Sequence, residues 1–274
     1  MSLALPQASN APVRALLDKC RALTQAPCAL AFSGGTDSAL LLYLLVACAQ
    51  DKTQVLPLTA TTPLQSQSDL QAAQALCARL GLTLQQVPVN PLPKMAHNPP
   101  TRCYQCKHHL MQSLITHAKA QGCQVLVDGT NGDDIHCYRP GLQALQELKV
   151  ISPLAQAQIT KAQVRALLDE VGLQAFNRPS VPCLATRFAY GMELNANLIA
   201  AVGKAERQLQ AWGFTQLRLR VHPGSVARLE VPIAELNAVL THRLEIIALI
   251  KATGLNYVTL DVEGLRSGSM DELL

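Results

Sequence analysis

The stretch AFSGGTDSALL, residues 31–41, combines two glycines, a carboxylate and hydroxyl groups at the end of an apolar run. Gly34 and Gly35 allow backbone N–H groups to converge on an anion, and a following helix N-terminus adds positive potential. The stretch lacks the lysine of GxxxxGK[ST], so it is not a Walker A loop. Asp37 would repel a bare phosphate, but it suits a Mg²⁺ ion that bridges it to the ligand. An ordinary glycine turn that caps a helix is the simpler alternative.

The same loop resembles the SGGxDS motif of the PP-loop pyrophosphatase family, with matches at Ser33, Gly34, Gly35, Asp37 and Ser38. Members of that family cleave ATP to AMP and pyrophosphate and adenylate a substrate. The resemblance implies that the loop binds ATP and that Asp37 holds Mg²⁺ for the leaving pyrophosphate.

A second acidic stretch, DGTNGDD at 128–134, follows another predicted strand. We predict that Asp128 reaches the same magnesium–phosphate cluster, with Asp133 or Asp134 as weaker candidates. An Asn/Asp-rich turn is the alternative, because these residues also favour turns on their own account.

Three cysteines stand in loops or at loop edges on the carboxyl side of the predicted sheet: Cys103 and Cys106 in a CxxC pair, and Cys183 in VPCLATRF. Three thiolates leave one position vacant on a metal centre. Beside an adenylating fold they favour a 4Fe–4S cluster whose open iron presents sulfide to an activated carboxyl. A structural zinc completed by His108 or His109, and unliganded thiols, are the alternatives.

The remaining cysteines mostly follow apolar patterns. Five are predicted to be small buried hydrophobes: Cys20, Cys28, Cys48, Cys77 and Cys123. Cys137 has no clear assignment. Nine cysteines, an odd number, fit a reducing cytoplasm better than a disulfide framework.

Strands alternate with amphipathic helices over the first two thirds of the chain. The pattern predicts strands at 28–32, 53–60, 82–89 and 123–129, and helices at 12–24, 37–49, 68–81, 104–120 and 160–172. This order predicts an α/β fold with a parallel sheet and helices on both faces. Ligands of such sheets gather at the carboxyl ends of the strands, where the phosphate loop lies.

The rhythm changes after residues 177–191. The pattern there predicts a helix at 195–212, a hairpin of 217–222 and 226–231, a long helix at 233–252 and a strand at 257–262. We therefore predict a PP-loop ATP pyrophosphatase domain at 1–186, followed by a small α+β domain for substrate binding and oligomerisation at 187–274.

Composition narrows the class of protein. A net charge of +4 suits anionic small molecules and does not by itself indicate nucleic acid. The longest apolar run, ALLLYLLVACA, is shorter than the roughly 20 residues that span a membrane. No charged leader precedes an apolar stretch, so we expect neither a secretory signal nor a membrane segment.

Most of the chain resembles the LarE family, the ATP-dependent sulfur transferases that make the nickel-pincer cofactor of lactate racemase. The resemblance rests on AFSGGTDS, NPPTRCYQCK, DGTNGDD, YRPGL, PCLATRFAYG, RLRVH, ARLE and YVTLDVEGLRSGSM. Family members adenylate a carboxylate of pyridinium-3,5-biscarboxylic acid mononucleotide and replace its oxygen with sulfur. The resemblance implies that the protein acts on this substrate. It also implies a homo-oligomer, for which six subunits is one candidate number.

Two versions of this chemistry exist in the family. In one, the cysteine matched by Cys183 gives up its own sulfur and becomes dehydroalanine; in the other, three cysteines hold a 4Fe–4S cluster that passes on sulfide. The sacrificial type lacks the CxxC pair that this chain has. We therefore favour the cluster version, with Cys103, Cys106 and Cys183 as ligands.

Two cations accompany these cysteines. Lys107 follows the CxxC pair, and the resemblance suggests that it faces the active site and steadies the phosphate of the adenylate. Arg187 lies four residues after Cys183 and could pair bidentately with a carboxylate or phosphate. A solvated helix lysine and a domain-linking ion pair are the respective alternatives.

Four charged residues share strand faces in the small domain through their i, i+2 spacing: Arg218, Arg220, Arg228 and Glu230. Paired arginines suit the phosphate of a mononucleotide. In the family this region lines a phosphate or metal site where subunits meet. A solvated hairpin face is the alternative.

Two other functions compete with sulfur transfer to a small molecule. An iron–sulfur tRNA thiolase shares the loop and the cysteines, but it would need a basic tRNA surface that a charge of +4 hardly supplies. A non-catalytic nucleotide-binding module with structural zinc would bind ATP without releasing pyrophosphate.

Overall fold

The computed structural model describes residues 3–8, 10–65, 67–136, 140–179, 182–266 and 268–272. Cys137 lies outside the described residues. The chain divides into two compact units, one of Met1–Pro91 with Cys103–Val181 and the other of Leu92–Arg102 with Pro182–Leu274. The boundary at residues 186 and 187 stays a prediction.

The first unit contains a four-stranded parallel sheet in the order β3-β2-β1-β4. Its strands are β1 Cys28–Ala31, β2 Val55–Thr61, β3 Gln85–Pro88 and β4 Val125–Asp128. In the register, Ala31 at the end of β1 pairs with Asp128 at the end of β4. The two predicted ligand-binding stretches therefore leave the sheet at the same edge.

Helices precede, separate and follow these strands along the chain. They are α1 Ala11–Leu23, α2 Thr36–Cys48, α3 Gln67–Leu80, α4 Arg102–Ala120, α5 Pro140–Glu147, α6 Pro153–Gln156 and α7 Lys161–Glu170. Helices α5 and α6 were not predicted. Thr160 and Gln163 form a reciprocal capping box at the start of α7.

Alternation along β1 explains why both faces of the sheet are covered. Cys28 and Leu30 belong to a core built with α1, α2 and α7, whereas Ala29 and Ala31 belong to a second core built with α4. Successive strand side chains point to opposite faces, so a strand that is apolar at every position needs helices on both sides. The parallel α/β fold class is thereby confirmed.

The second unit contains a three-stranded sheet in the order β5-β6-β7. Its elements are α8 Ala196–Ala211, β5 Arg218–His222, β6 Val226–Glu230, α9 Leu236–Thr241, α10 Arg243–Lys251 and β7 Tyr257–Leu260. Strands β5 and β6 form the predicted hairpin, and β7 pairs in parallel with β6.

The predicted continuous helix at 233–252 is wrong. A 3₁₀ turn at Ile233–Glu235 precedes α9, and His242 at ψ 21° separates α9 from α10. No glycine or proline marks this break, so the apolar pattern alone did not indicate it. Among the described residues, no helix has the length and apolar character needed to cross a membrane.

Candidate functional site

The phosphate loop joins β1 to α2 in the first unit. Gly34 has φ +78°, and a Cβ there would overlap the backbone carbonyl of Asp69. Position 34 therefore needs glycine. Gly35 is the N-cap of α2 and contributes no side-chain acceptor, and its N–H donates to Ser33 Oγ at 3.3 Å. The start of α2 thus offers an uncapped helix N-terminus, the arrangement that binds anions.

Asp37 in the first turn of α2 is paired with a lysine that the sequence reasoning missed. Lys161 Nζ lies 2.6 Å from Asp37 Oδ2, and Asn131 Nδ2 lies 3.4 Å from Asp37 Oδ1. The capping box at Thr160 starts α7 so that Lys161 is its first residue, and the Lys161 N–H donates to Asp133 Oδ2 at 2.7 Å. An ammonium group therefore stands at the carboxylate that we assigned to Mg²⁺.

Asp128 ends β4 and is buried. Ser152 Oγ donates to its Oδ1 at 2.6 Å, and Thr130 Oγ1 donates to its Oδ2 at 2.7 Å. Lys107 Nζ lies 3.4 Å from the same Oδ2. The structure thus brings together Lys107 and Asp128, which were predicted separately, and adds two hydroxyl donors that fix the carboxylate.

The two acidic stretches meet at one place. A Cβ on Gly129 would lie 2.8 Å from the backbone nitrogen of Ser38, so the end of β4 packs directly on the first turn of α2. Asn131 bridges the two stretches through its contact with Asp37. Asp134 does not take part in the contact between Asn131 and Asp37. Its Oδ2 accepts the Asn131 N–H at 3.2 Å and so stabilises the turn of the second acidic stretch. The chain therefore assembles carboxylate oxygens, which are the ligands that Mg²⁺ prefers, with two lysines and a helix N-terminus.

Arg178 is a second residue that sequence reasoning missed. Its Nη2 donates to the carbonyl of Gly34 at 3.0 Å and to Asp69 Oδ1 at 2.9 Å, and Thr36 Oγ1 donates to its carbonyl at 3.0 Å. Burial raises the pKa of Asp69, and the Arg178 guanidinium partly offsets this. Arg178 therefore fixes the phosphate loop against the start of α3.

The three candidate ligand cysteines belong to different units. Cys103 is exposed and Cys106 half-buried near the start of α4, three residues apart and so on one helix face. Cys183, in the second unit, is exposed at the N-cap of a 3₁₀ helix at Leu184–Arg187. Within the described ranges, no three His, Cys, Asp or Glu side chains form a group that could hold a metal ion. The donor chemistry nevertheless fits a cluster, because all three side chains are cysteine thiols.

The other described cysteines behave largely as predicted. Cys20, Cys28, Cys77 and Cys123 are buried, whereas Cys48 is only half-buried. Burial raises the pKa of Cys28 and of Cys77 to about 12. A high thiol pKa suppresses the reactive thiolate, so these groups are inert structural residues.

Arg187, a candidate catalytic residue, is buried in the second unit with a protein carboxylate. Its Nε and Nη2 each lie 2.8 Å from an oxygen of Glu206, and its Nη1 donates to the carbonyl of Pro182 at 3.2 Å and to Thr186 Oγ1 at 3.0 Å. Glu206 also accepts the N–H of Leu219 at 2.8 Å. The bidentate partner of Arg187 is thus a protein carboxylate, as in the structural alternative, and the pair ties the segment around Cys183 to α8 and β5.

Arg220 on β5 is held in a similar way. Its Nε donates to Glu230 Oε2 at 2.9 Å, its Nη1 to the carbonyl of Thr186 at 2.8 Å, and its Nη2 to Ser269 Oγ at 3.1 Å. Glu230 is completely buried. Most donors of Arg220 are therefore engaged within the protein.

Arg228 on β6 contacts the other side of the same carboxylate. Its Nη2 donates to Glu230 Oε1 at 3.1 Å, and its Nη1 lies 3.5 Å from Asp261 Oδ2. The four charged residues predicted from strand spacing thus lie together, with Glu230 between two of the arginines.

A cleft of about 420 Å³ opens in the second unit. Residues that line it include Arg102, Thr186, Arg218, Arg220, Arg266 and Asp271. Among the described residues, the Arg218 guanidinium donates to the carbonyl of Leu217, at 2.7 Å. Burial lowers the pKa of Arg218, and the nearby Arg187 guanidinium lowers it further, which indicates a site that favours an anion.

Comparison with known proteins agrees with this arrangement. The family model described as NAD synthase matches residues 9–122, which hold the phosphate loop and the CxxC pair. The "Uncharacterized protein slr1717" of Synechocystis sp. is 36% identical over 249 residues, which cover 89% of this chain and 92% of that protein. The "Uncharacterized protein MJ0830" of Methanocaldococcus jannaschii is 30% identical over 87% of this chain and 90% of its own length.

A third relative has a named activity. The pyridinium-3,5-bisthiocarboxylic acid mononucleotide synthase of Lactiplantibacillus plantarum is 33% identical over 247 residues, which cover 89% of each protein. Fold and phosphate loop define a PP-loop protein, a class of ATP-using enzymes. The chain belongs, within that class, to the LarE family.

Proposed function

We propose that the protein is an ATP-dependent, AMP-forming sulfurtransferase that acts on pyridinium-3,5-biscarboxylic acid mononucleotide. The observation that carries the proposal is the meeting of the phosphate loop with Asn131, Lys161 and the Lys107–Asp128 pair at one edge of the sheet. The relative that synthesises a bisthiocarboxylic acid mononucleotide supports the choice of substrate.

In the first half-reaction, a carboxylate oxygen of the substrate attacks the α-phosphorus of ATP. A new oxygen–phosphorus bond forms, the bond to the leaving pyrophosphate breaks, and an acyl adenylate results. Mg²⁺, when bound at Asp37 and Asp128, supplies charge neutralisation for the phosphates. The α2 N-terminus binds the phosphates, and Lys161 and Lys107 are positioned to compensate the charge that develops on them.

In the second half-reaction, sulfur replaces the activated oxygen and AMP leaves. We assign Cys103, Cys106 and Cys183 as ligands of a 4Fe–4S cluster, which when bound supplies an iron with an open position for sulfide. The exposure of the Cys103 and Cys183 side chains supports this assignment. In the competing version, Cys183 gives up its own sulfur and is left as dehydroalanine in the chain.

In the second unit, we assign Arg218 and Arg220 to the phosphate of the mononucleotide, with Arg228 and Glu230 as the frame that holds Arg220. Arg187 holds the segment that carries Cys183, and in this way serves the catalytic cysteine. We further propose that this part of the chain, 187–274, supports homo-oligomer formation. Cys20, Cys28, Cys77 and Cys123 are buried without a disulfide, which favours a reducing compartment such as the cytoplasm.

Turnover of labelled ATP tests the adenylation step. With the dicarboxylate mononucleotide present, we expect labelled AMP and pyrophosphate from the wild type and none above background from Asp37→Asn. Cys48→Ser, which alters a cysteine outside the site, should keep wild-type AMP formation. Formation of ADP, or AMP formation by Asp37→Asn at the wild-type rate, would contradict the proposal.

Anaerobic iron and sulfide analysis, combined with mass spectrometry of the intact chain, separates the two sulfur sources. The cluster version predicts iron and sulfide bound to the wild type, lost in Cys103→Ser, and an unchanged chain mass after several turnovers. Loss of a single sulfur from Cys183 without any iron would establish the sacrificial version.

A further inference from the structure

Asn98 is a completely buried asparagine in a costly backbone conformation. Its φ is +46°, although Pro99 follows it and a proline restricts the preceding residue to extended backbone. Its Oδ1 is also buried and accepts no hydrogen bond from the residues that the structure describes, which adds the cost of an unsatisfied acceptor. A position that combines these costs points to a role beyond the filling of space.

The Asn98 amide joins two segments of the second unit that are far apart in the sequence. Its Nδ2 donates to the carbonyl of Phe188 at 2.7 Å and to that of Ala189 at 3.1 Å. Both partners are acceptors, so only the amide nitrogen can face them. The Leu194 N–H, which donates to the carbonyl of Ala96 at 2.8 Å, adds a bond between the same segments. We call these three hydrogen bonds the Asn98 clamp.

Each side of the Asn98 clamp leads to one of the candidate ligand cysteines. Cys103 follows Asn98 by five residues, and Cys183 precedes Phe188 by five residues. Cysteines so far apart in the sequence can share one centre only if tertiary contacts hold their segments together. The Asn98 clamp supplies such contacts.

The connections between the clamp and the two cysteines are folded rather than extended. The Arg102 N–H donates to the carbonyl of Pro99 at 2.9 Å, and the Thr186 N–H donates to the carbonyl of Cys183 at 3.0 Å. Arg102 and Pro182, which directly precede the two cysteines in the chain, line the same cleft of the second unit. The clamp therefore acts on the cysteines through short connections with little slack.

We propose that Asn98 is a positioning residue for sulfur transfer. Its amide holds the segment that leads into Cys103 against the segment that follows Cys183, so that both thiols serve one centre. The role in sulfur transfer rests on the proposed function. The proximity of the two thiols follows from the clamp contacts, and it can be tested without any metal.

Cross-linking of the metal-free, full-length protein with a short bifunctional maleimide tests this proximity. In the wild type, we expect peptide mass mapping to find Cys103 joined to Cys183. Asn98→Gly removes the amide and accepts a positive φ without strain. The initial rate of the cross-link should then fall by about threefold or more, because the effective concentration of one thiol at the other decreases. Amide hydrogen exchange at Leu194 should become about tenfold faster, since two hydrogen bonds of the clamp are lost.

The matched control is Ser225→Gly, which changes another left-handed residue of the second unit, with φ +61° in the turn between β5 and β6. Its cross-linking rate and its Leu194 exchange should stay within about twofold of the wild type, because the clamp is intact. A wild-type cross-linking rate in Asn98→Gly, or an equal loss in Ser225→Gly, would overturn the proposal. Absence of the Cys103–Cys183 cross-link from the wild type would overturn it without any variant.

The ratio of the two products distinguishes this inference from the proposed function. With ATP and the dicarboxylate mononucleotide, Asn98→Gly should form about tenfold less thiocarboxylate per AMP released, because the sulfur donor is misplaced. A general loss of folded protein would lower both products together and leave their ratio unchanged. A wild-type ratio in Asn98→Gly would overturn the inference and leave the proposed function standing. A cross-link that depends on Asn98, in a protein that forms no AMP, would overturn the proposed function and leave the clamp standing.

Discussion

The two units use the same kind of contact, a cation paired with a carboxylate, at different depths. In the first unit, the side chains of Lys161 and Asp37 are 32% and 23% exposed. In the second, those of Arg187 and Glu206 are 2% and 7% exposed. A partly exposed lysine can exchange its carboxylate for a phosphate at little cost, whereas a buried bidentate arginine cannot leave its partner. The comparison separates contacts that ligands can rearrange from contacts that only hold the structure.

The buried pair gives the largest expected effect. Arg187→Met leaves Glu206 buried without its cation, and we expect a loss of about 3–5 kcal/mol in the free energy of unfolding. Denaturant titration measures this. The double variant with Glu206→Gln should recover most of the loss, because glutamine is neutral and still accepts the N–H of Leu219. If Arg187→Met lowered the free energy of unfolding by less than about 1 kcal/mol, the buried pair would be no more important for stability than the partly exposed pair of the first unit.

Lys161→Met should reduce activity strongly and change stability little, the opposite of what we expect for a buried pair. Because its pair with Asp37 is partly exposed, we expect the free energy of unfolding to change by less than about 1 kcal/mol. Formation of AMP should fall by about a hundredfold or more, since a cation that faces the phosphates is lost. Lys19→Met, a surface lysine that contacts Gln156, is the matched control and should retain activity. A variant with full activity would show that Lys161 only stabilises Asp37.

The smallest expected effect is a pH dependence of stability that comes from His222 in the second unit. Burial, followed by the Arg228 guanidinium, lowers the pKa of His222, and its Nε2 is buried without a partner among the described residues. The folded state therefore favours the neutral ring. The stability that this residue contributes is complete above its unfolded pKa of about 6.5 and is lost as pH falls through that value towards the lower folded pKa.

Unfolding midpoints measured from about pH 7.5 down to about pH 5 test this sign. The wild type should lose stability over that interval, and His222→Gln should flatten that part of the profile. An identical slope in the variant would assign the loss to other groups.

Local patterns were sufficient to predict much of the fold. The apolar run before SGGTDS, and the repeated alternation of strands and helices, led to the parallel sheet with helices on both faces. The division into α9 and α10 at His242 was missed because no breaking residue marks it. The grouping of Leu92–Arg102 with the C-terminal unit depends on tertiary contacts such as Asn98 Nδ2 donating to the carbonyl of Phe188 at 2.7 Å.

The site was predicted where its residues form contiguous motifs. The phosphate loop and Asp128 were found because glycines and carboxylates follow strand ends. Lys161 was missed because it lies 124 residues from Asp37, and its own neighbourhood indicates only the start of a helix.

The two adjacent glycines of the loop set unequal limits on sequence variation. A Cβ at Gly34 would overlap the neighbouring backbone, whereas at Gly35 the nearest heavy atom would be a serine hydroxyl at 3.4 Å. Gly35 also has φ −80°, which any L-residue adopts. A randomised library selected for function should thus retain glycine at the first position and accept alanine or serine at the second. In a redesign of the nucleotide preference of this loop, Gly35 can therefore be varied and Gly34 cannot.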